Sequence, residues 1–341
     1  VAENAGGPHC LKYGVTTNHV RGLELVLPDG SVIWTDRARD GYGGLDLTSI
    51  VVGSEGMLGI VTKVLVKLTP IPASTGVYLA AFPTMDAASD AVTAIISHGT
   101  LPAALEMVDN LTIQAVEPVY HAGYPMDAGA VLLIELDGHE SEVQEIGLDV
   151  ERLCNHGGAF LVRSATSASE RALLWKGRKM ALAAMGRLAP NYYLHDTVVP
   201  RTMLTRTLTE VNRISAEFDL RIANVFHAGD GNLHPLMLFD QRAPGEMDRV
   251  LEASHAIIET CIGFGGTLSG EHGIGTEKRK YMPMAYSQDD LKAMAGVKHA
   301  FDPGERFNPE KVFPKGYLCG DVLALATQFE AHAALHGIHP M

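Results

Sequence analysis

A chain of 341 residues, 46% of them hydrophobic, carries enough apolar material for a large buried core and for two or three domains. Its 27 Lys and Arg stand against 40 Asp and Glu, and the resulting net charge of −13 argues against nucleic acid or an anionic membrane surface as a partner. No apolar run reaches the length of a membrane span, and Cys10, Cys154, Cys261 and Cys319 are too scattered for a disulfide framework or for iron–sulfur or structural zinc spacing, so a cytoplasmic protein with free thiols is expected.

Residues 1–70 read as β-rich. In "GLELVLPDGSVIW" two apolar runs flank Pro28-Asp29-Gly30, a hairpin signal. "SIVVGSEGMLGIVTKVLVKLTP" reads as a strand, a glycine-rich turn and a long alternating strand that ends at Pro70. From about residue 75 strands and amphipathic helices alternate. "VYLAAFPTMDAASDAVTAIISHG" is a strand followed by a helix, and "AALEMVD" and "AGAVLLIELDG" supply further strands. "SEVQEIGLDVERLCNHGG" has apolar positions at helical spacing and stops at Gly157-Gly158. "RTMLTRTLTEVNRISAEFDL" predicts a helix leading into the strand "RIANVF", residues 246–264 predict another, and "SQDDLKAMAGVKHAFD" predicts one capped by its serine and ended before Pro303. The pattern is that of an α+β protein with helices packed on an antiparallel sheet.

Three glycine-rich stretches carry the candidate chemistry. In "FHAGDGNLHP" the histidines His227 and His234 are seven apart, but Gly229-Asp230-Gly231-Asn232 between them is turn chemistry, not helix. A strand entering and a strand leaving a six-residue turn would bring both imidazoles to one side, with Asp230 or Asn232 orienting them. In "SGEHGIG" the pair Glu271 and His272 lies on a loop bounded by glycines, where bare backbone admits a ligand. His227, His234 and Glu271 together make a two-histidine, one-carboxylate set that leaves positions open for substrate, with His272 beside the metal where a base is wanted. "VVGSEGMLGIV" is not the dinucleotide-binding GxGxxG pattern, and strand rather than helix follows it, which excludes a Rossmann reading. Its glycines still suggest backbone pressed against a ligand, as do those of "NAGGPHCLKYG". A hydrolase using the same metal set to activate water would need neither glycine-rich stretch.

In this order "ENAGGPHCLKYG", "GSEGMLGIVT", "FHAGDGNLHPLMLFD" and "SGEHGIGTEK" resemble the FAD-linked oxidases of the D-lactate dehydrogenase and D-2-hydroxyglutarate dehydrogenase group. "WKGRKMALAAMGRLAPNYYLHDTVVPR" and "AFDPGERFNPEKVFP" look like the glycolate oxidase type within that group. The resemblance implies the C-terminal part of a PCMH-type FAD-binding domain over residues 1–72, an antiparallel-sheet cap domain with flanking helices over 73–265, and an active-site loop with a helical region over 266–341. It implies that Asn4, Gly6, Gly7, Gly14, Gly53, Glu55, Gly59 and Ile60 line the FAD, with Asn308 near the flavin ring. It makes His227, His234 and Glu271 ligands of a divalent metal (zinc first, with manganese, iron or cobalt suited to the same donors), His272 the active-site histidine, and Arg178 of "WKGRK" the holder of the substrate carboxylate. The implied reaction is FAD-dependent oxidation of a small 2-hydroxy acid, with electrons passing to an iron–sulfur partner subunit at the inner face of the membrane and "VLALATQFEAHAAL" as a docking helix. Because the resemblance begins inside the flavin domain, the chain is expected to lack the upstream subdomain that grips the pyrophosphate and to be inactive by itself.

Overall fold

The computed structural model describes residues 1–35 and 45–316. The segment "VLALATQFEAHAAL", expected as a docking helix, and Cys319 lie outside the described residues. The chain is α+β and divides into two compact units.

The first unit comprises Val1–Ala5, Thr16–Leu68 and Glu271–Met341. Its sheet has the order β2-β1-β3, where β1 is Val20–Val26, β2 is Val32–Trp34 and β3 is Ile60–Val66, all antiparallel. The expected hairpin turns at Gly30, whose φ of +87° suits glycine. "SIVV" is not a strand: Leu47–Val51 is a short helix whose N-cap, Asp46, accepts a hydrogen bond from the backbone N–H of Ser49 at 3.2 Å. β-branched residues favour strands only weakly, and a capping carboxylate three residues before a free amide decides the local contest. Leu23, Leu25, Val51, Met57, Leu58, Ala295 and Phe313 form the core of this unit. The helix Gln288–Phe301 begins with the capping serine, Ser287, in a reciprocal capping box with Asp290. Its Lys298 is buried and donates to the carbonyls of Met57 at 2.7 Å and Phe307 at 2.8 Å, tying two loops together.

The second unit comprises Gly6–Val15 and Thr69–Gly270. Its strands are β4 (Ser74–Phe82), β5 (Ala104–Asp109), β6 (Ala130–Gly138), β7 (Leu161–Ser164), β8 (Asn191–Leu194), β9 (Thr197–Val198), β10 (Arg221–His227), β11 (Asn232–Leu233) and β12 (Pro235–Phe239). They form one antiparallel sheet in the order β7-β4-β6-β5-β10-β11-β9, with β12 paired to both β10 and β8. Helices cover both faces. On one, Met85–Ser97, Glu140–His156, Leu204–Glu217 and Glu246–Gly263 pack on Ala80, Phe82, Leu105, Met107, Leu132 and Phe226. On the other, Asn110–Tyr120, Ala168–Lys179 and Ala181–Ala184 pack on Val77, Leu79, Val108, Val131, Leu133 and Val225. Each fully buried side chain such as Phe82 contributes about 1.5–3 kcal/mol, against about 0–1 kcal/mol for an exposed ion pair, so the two apolar faces hold the unit together. Asp109 ends β5 and caps the helix after it, accepting from Thr112 N–H at 2.9 Å and from the backbone and side chain of Asn224 at 2.7 and 3.1 Å. Burial nevertheless raises the Asp109 pKa above the usual carboxylate range.

Candidate active site

The hairpin around His227 is tighter than its sequence suggests. Four residues, Ala228–Gly231, form the turn, because Asn232 already pairs with His227 in the β10–β11 ladder. Gly231 has φ +80°, and a Cβ there would lie 2.3 Å from the carbonyl oxygen of Val199, so neither the conformation nor the space tolerates a side chain. A Cβ on Gly229 would meet Leu11 at 2.6 Å. Asp230 accepts the N–H of Asn232 at 3.0 Å, and burial raises its pKa. With the backbone fixed this way, the buried imidazoles of His227 and His234 meet edge to face with ring centroids 5.2 Å apart. A ring nitrogen of one lies within 4.8 Å of a ring nitrogen of the other.

Sheet register supplies what stands behind His227. On β5 side chains alternate, so Leu105 and Met107 face one helix layer while Glu106 faces the other with Val108. The antiparallel pairing of β5 with β10 sets Glu106 directly opposite His227. Glu106 is fully buried; its Oε1 lies 2.7 Å from Nδ1 of His227 and its Oε2 lies 2.7 Å from Nη2 of Arg178. Arg178 comes from the last turn of the helix Ala168–Lys179 on the same face of the sheet. A buried carboxylate is tolerable only when so compensated. The Nε of Arg178 is itself buried and has no hydrogen-bond partner among the described residues.

The second imidazole has an analogous backing. Nδ1 of His234 is 3.4 Å from the carbonyl oxygen of His195 and 3.9 Å from Oδ1 of Asp196. Asp196 is buried and accepts from Ser269 Oγ at 2.6 Å and from the N–H of Gly270 at 2.9 Å, so it fixes the segment that leads to Glu271. In both rings an oxygen acceptor faces Nδ1. A proton on that nitrogen leaves Nε2 with the lone pair a metal takes, the arrangement common to metal-binding histidines. The donor set therefore fits a divalent cation.

The FAD-lining candidates fall in both units. In the first unit Asn4, Glu55 and Asn308 adopt φ of +52°, +52° and +42°, left-handed backbone that side chains rarely take and that concentrates at ligand sites. They also hold one another's loops. Asn308 Nδ2 donates to the carbonyl of Glu55 at 2.6 Å, Asn4 Oδ1 accepts from Thr17 N–H at 2.9 Å, and a Cβ on Gly53 would lie 3.1 Å from Asn4. The Glu55 carboxylate accepts from the N–H groups of Ile274 at 2.6 Å and Gly275 at 2.8 Å, just beyond the half-buried Glu271 and the exposed His272. Gly59 packs against Leu25 and the carbonyl of Val26, and Ile60, exposed, opens β3.

In the second unit Gly6, Gly7 and Gly14 frame a 3-10 turn at Gly7–His9 and a short helix at Cys10–Tyr13. A Cβ on Gly6 would collide with Cys10, and Gly7 and Gly14 have φ of +66° and +80°. This segment is bound to β6. His9 Nε2 lies 3.0 Å from Glu135, Lys12 and Tyr13 both bind Asp137, and Trp175 donates to Glu135 at 2.6 Å.

Sequence reasoning missed Glu106 and Asp196. Glu106 had a local signal, an acid inside the apolar strand "ALEMVD", but its partner is 121 residues away. Asp196, between His195 and Thr197, had only its neighbourhood to mark it.

A family model described as FAD linked oxidases, C-terminal domain, matches residues 71–312, and one described as FAD binding domain matches residues 1–36. The chain is 46% identical over 325 residues to the glycolate oxidase subunit GlcD of Escherichia coli (strain K12), covering 95% of this chain and 65% of that protein's length. It is 42% identical to the corresponding subunit of Bacillus subtilis (strain 168), over 92% of this chain and 67% of the relative. It is 30% identical to the mitochondrial D-lactate dehydrogenase [cytochrome] of Arabidopsis thaliana, over 92% of this chain and 55% of the relative. Among solved structures, p-cresol methylhydroxylase with substrate bound superposes with a TM-score of 0.70 at 14% identity, covering 86% of this chain and 65% of that one. At that identity the likeness concerns the fold alone.

Proposed function

The chain belongs to the FAD-linked oxidases, and we propose that it serves the oxidation of a small 2-hydroxy acid, glycolate or D-lactate, to the 2-oxo acid. The relatives named as glycolate oxidase subunit and D-lactate dehydrogenase support the substrate class. The observation that carries the reading is the buried pair His227 and His234 with Arg178 alongside, its Nε an unsatisfied buried donor. Buried donors are satisfied in native proteins, and a guanidinium suits a carboxylate.

Bound FAD supplies the hydride acceptor, and a bound divalent cation, zinc in first place, supplies a Lewis acid that acidifies the substrate hydroxyl. His227 and His234 would hold the cation, and the sequence pattern "SGEHG" offers Glu271 as its carboxylate ligand. His272 takes the hydroxyl proton on a ring nitrogen. Arg178 binds the substrate carboxylate and so orients the C–H bond. Within the first unit, Asn4, Gly53, Glu55, Gly59, Ile60 and Asn308 are the residues offered to FAD. An iron–sulfur partner subunit is the proposed acceptor of the electrons, and the relatives named as glycolate oxidase subunit support a partner chain.

Anaerobic mixing of the complete, FAD-loaded enzyme, with the upstream FAD-binding segment supplied, with glycolate or D-lactate tests the reading. Bleaching of the flavin by one of them, suppressed by a chelator and restored by added zinc or manganese, is expected. A flavin that stays oxidised with every small 2-hydroxy acid would overturn it.

A further inference from the structure

We propose that Glu106 is a positioning residue that holds His227 in the tautomer and orientation of a metal ligand. The inference rests on the metal reading above and adds a residue that lies behind the ligand and outside its sequence motif. Three observations carry it. The strand register sets Glu106 directly across from His227. One carboxylate oxygen lies 2.7 Å from Nδ1 of the imidazole, within hydrogen-bond range. The other lies 2.7 Å from the guanidinium of Arg178, which supplies the counter-charge that a fully buried carboxylate requires.

The chemistry asks for glutamate in particular. The imidazole Nδ1–H is a donor and the guanidinium a fixed cation, and only an ionised carboxylate offers an acceptor to the one and a counter-charge to the other. Glutamine can satisfy one of them and must turn an NH2 group toward the other. An apolar residue satisfies neither. With the proton held on Nδ1, the lone pair sits on Nε2 and the ring cannot rotate without losing its carboxylate partner.

Zinc affinity of the full chain, read by competition with a chromogenic chelator, tests this in the wild type, Glu106→Gln and His227→Ala, with circular dichroism confirming the fold of each. Glu106→Gln is expected to weaken zinc binding about 10–100-fold, and His227→Ala to weaken it more. If His227→Ala loses affinity while Glu106→Gln keeps that of the wild type, the role of Glu106 is overturned and the metal site stands. If His227→Ala binds zinc as the wild type does, the metal reading itself fails, and this inference with it. Should Glu106→Gln not fold, the zinc-free wild type carries the test: nitrogen NMR of labelled histidine is expected to find the proton of His227 on Nδ1, and a proton on Nε2 would overturn the proposal.

Discussion

His272 is exposed and follows a half-buried carboxylate, Glu271, on a loop whose amides at Ile274 and Gly275, just past Gly273, are held by Glu55. An imidazole placed there can exchange its proton with solvent between turnovers, which a buried one cannot do readily. In the complete, FAD-loaded enzyme His272→Gln is expected to keep cation and flavin while slowing flavin reduction by substrate about 10²–10⁴-fold, as followed by anaerobic stopped-flow absorbance. Reduction at the normal rate would assign the base to another group. At this scale the sequence was legible wherever chemistry and turn signals coincide. His227 and His234 are readable because Gly229, Asp230, Gly231 and Asn232 cannot continue a helix and must fold the chain back. Glu106 and Asp196 were not readable as partners, because their contacts, to His227 and to Ser269 and Gly270, are made across sheet register and a long chain separation that no local pattern encodes.

At the scale of elements the amphipathic helices were readable from their apolar spacing and caps: Glu140–His156 stops at Gly157 as expected, and Ser287 caps Gln288–Phe301. The helix Leu47–Val51 was not, because its β-branched residues read as strand and its only contrary signal is the Asp46 cap. The segment Gly6–Val15 offers a different case. Its glycines drew the reading toward cofactor, yet its side chains His9, Lys12 and Tyr13 are directed at Glu135 and Asp137 of β6. The hydrogen bond that His9 donates to Glu135 raises the His9 pKa above its ordinary value of 6.5, against a burial that lowers it. A folded pKa above the unfolded one means that His9 contributes stability fully below pH 6.5 and loses it as pH rises through the folded value. His9→Gln is therefore expected to lower the thermal unfolding temperature in mildly acidic buffer and to leave it nearly unchanged in alkaline buffer. An equal loss at both would show that the imidazolium makes no contribution.

At the scale of the whole molecule, the α+β class followed from alternating strands and helices because both faces of the sheet in the second unit demand a helical cover. Which segments join which unit did not follow: Gly6–Val15 is separated from Thr69 by most of the first unit's sheet, and only tertiary contacts place it. No helix among the described residues is long and apolar enough to cross a membrane. The account as a whole depends on the turn at Ala228–Gly231 having been shaped to present two imidazoles to one cation, with oxygen donors completing its coordination. X-ray absorption of the zinc-loaded chain at the metal edge reads that coordination directly. The expected spectrum shows two imidazoles and otherwise oxygen in the first shell, reduced to one imidazole in His234→Ala. A shell containing sulfur, or one without imidazole, would contradict the account.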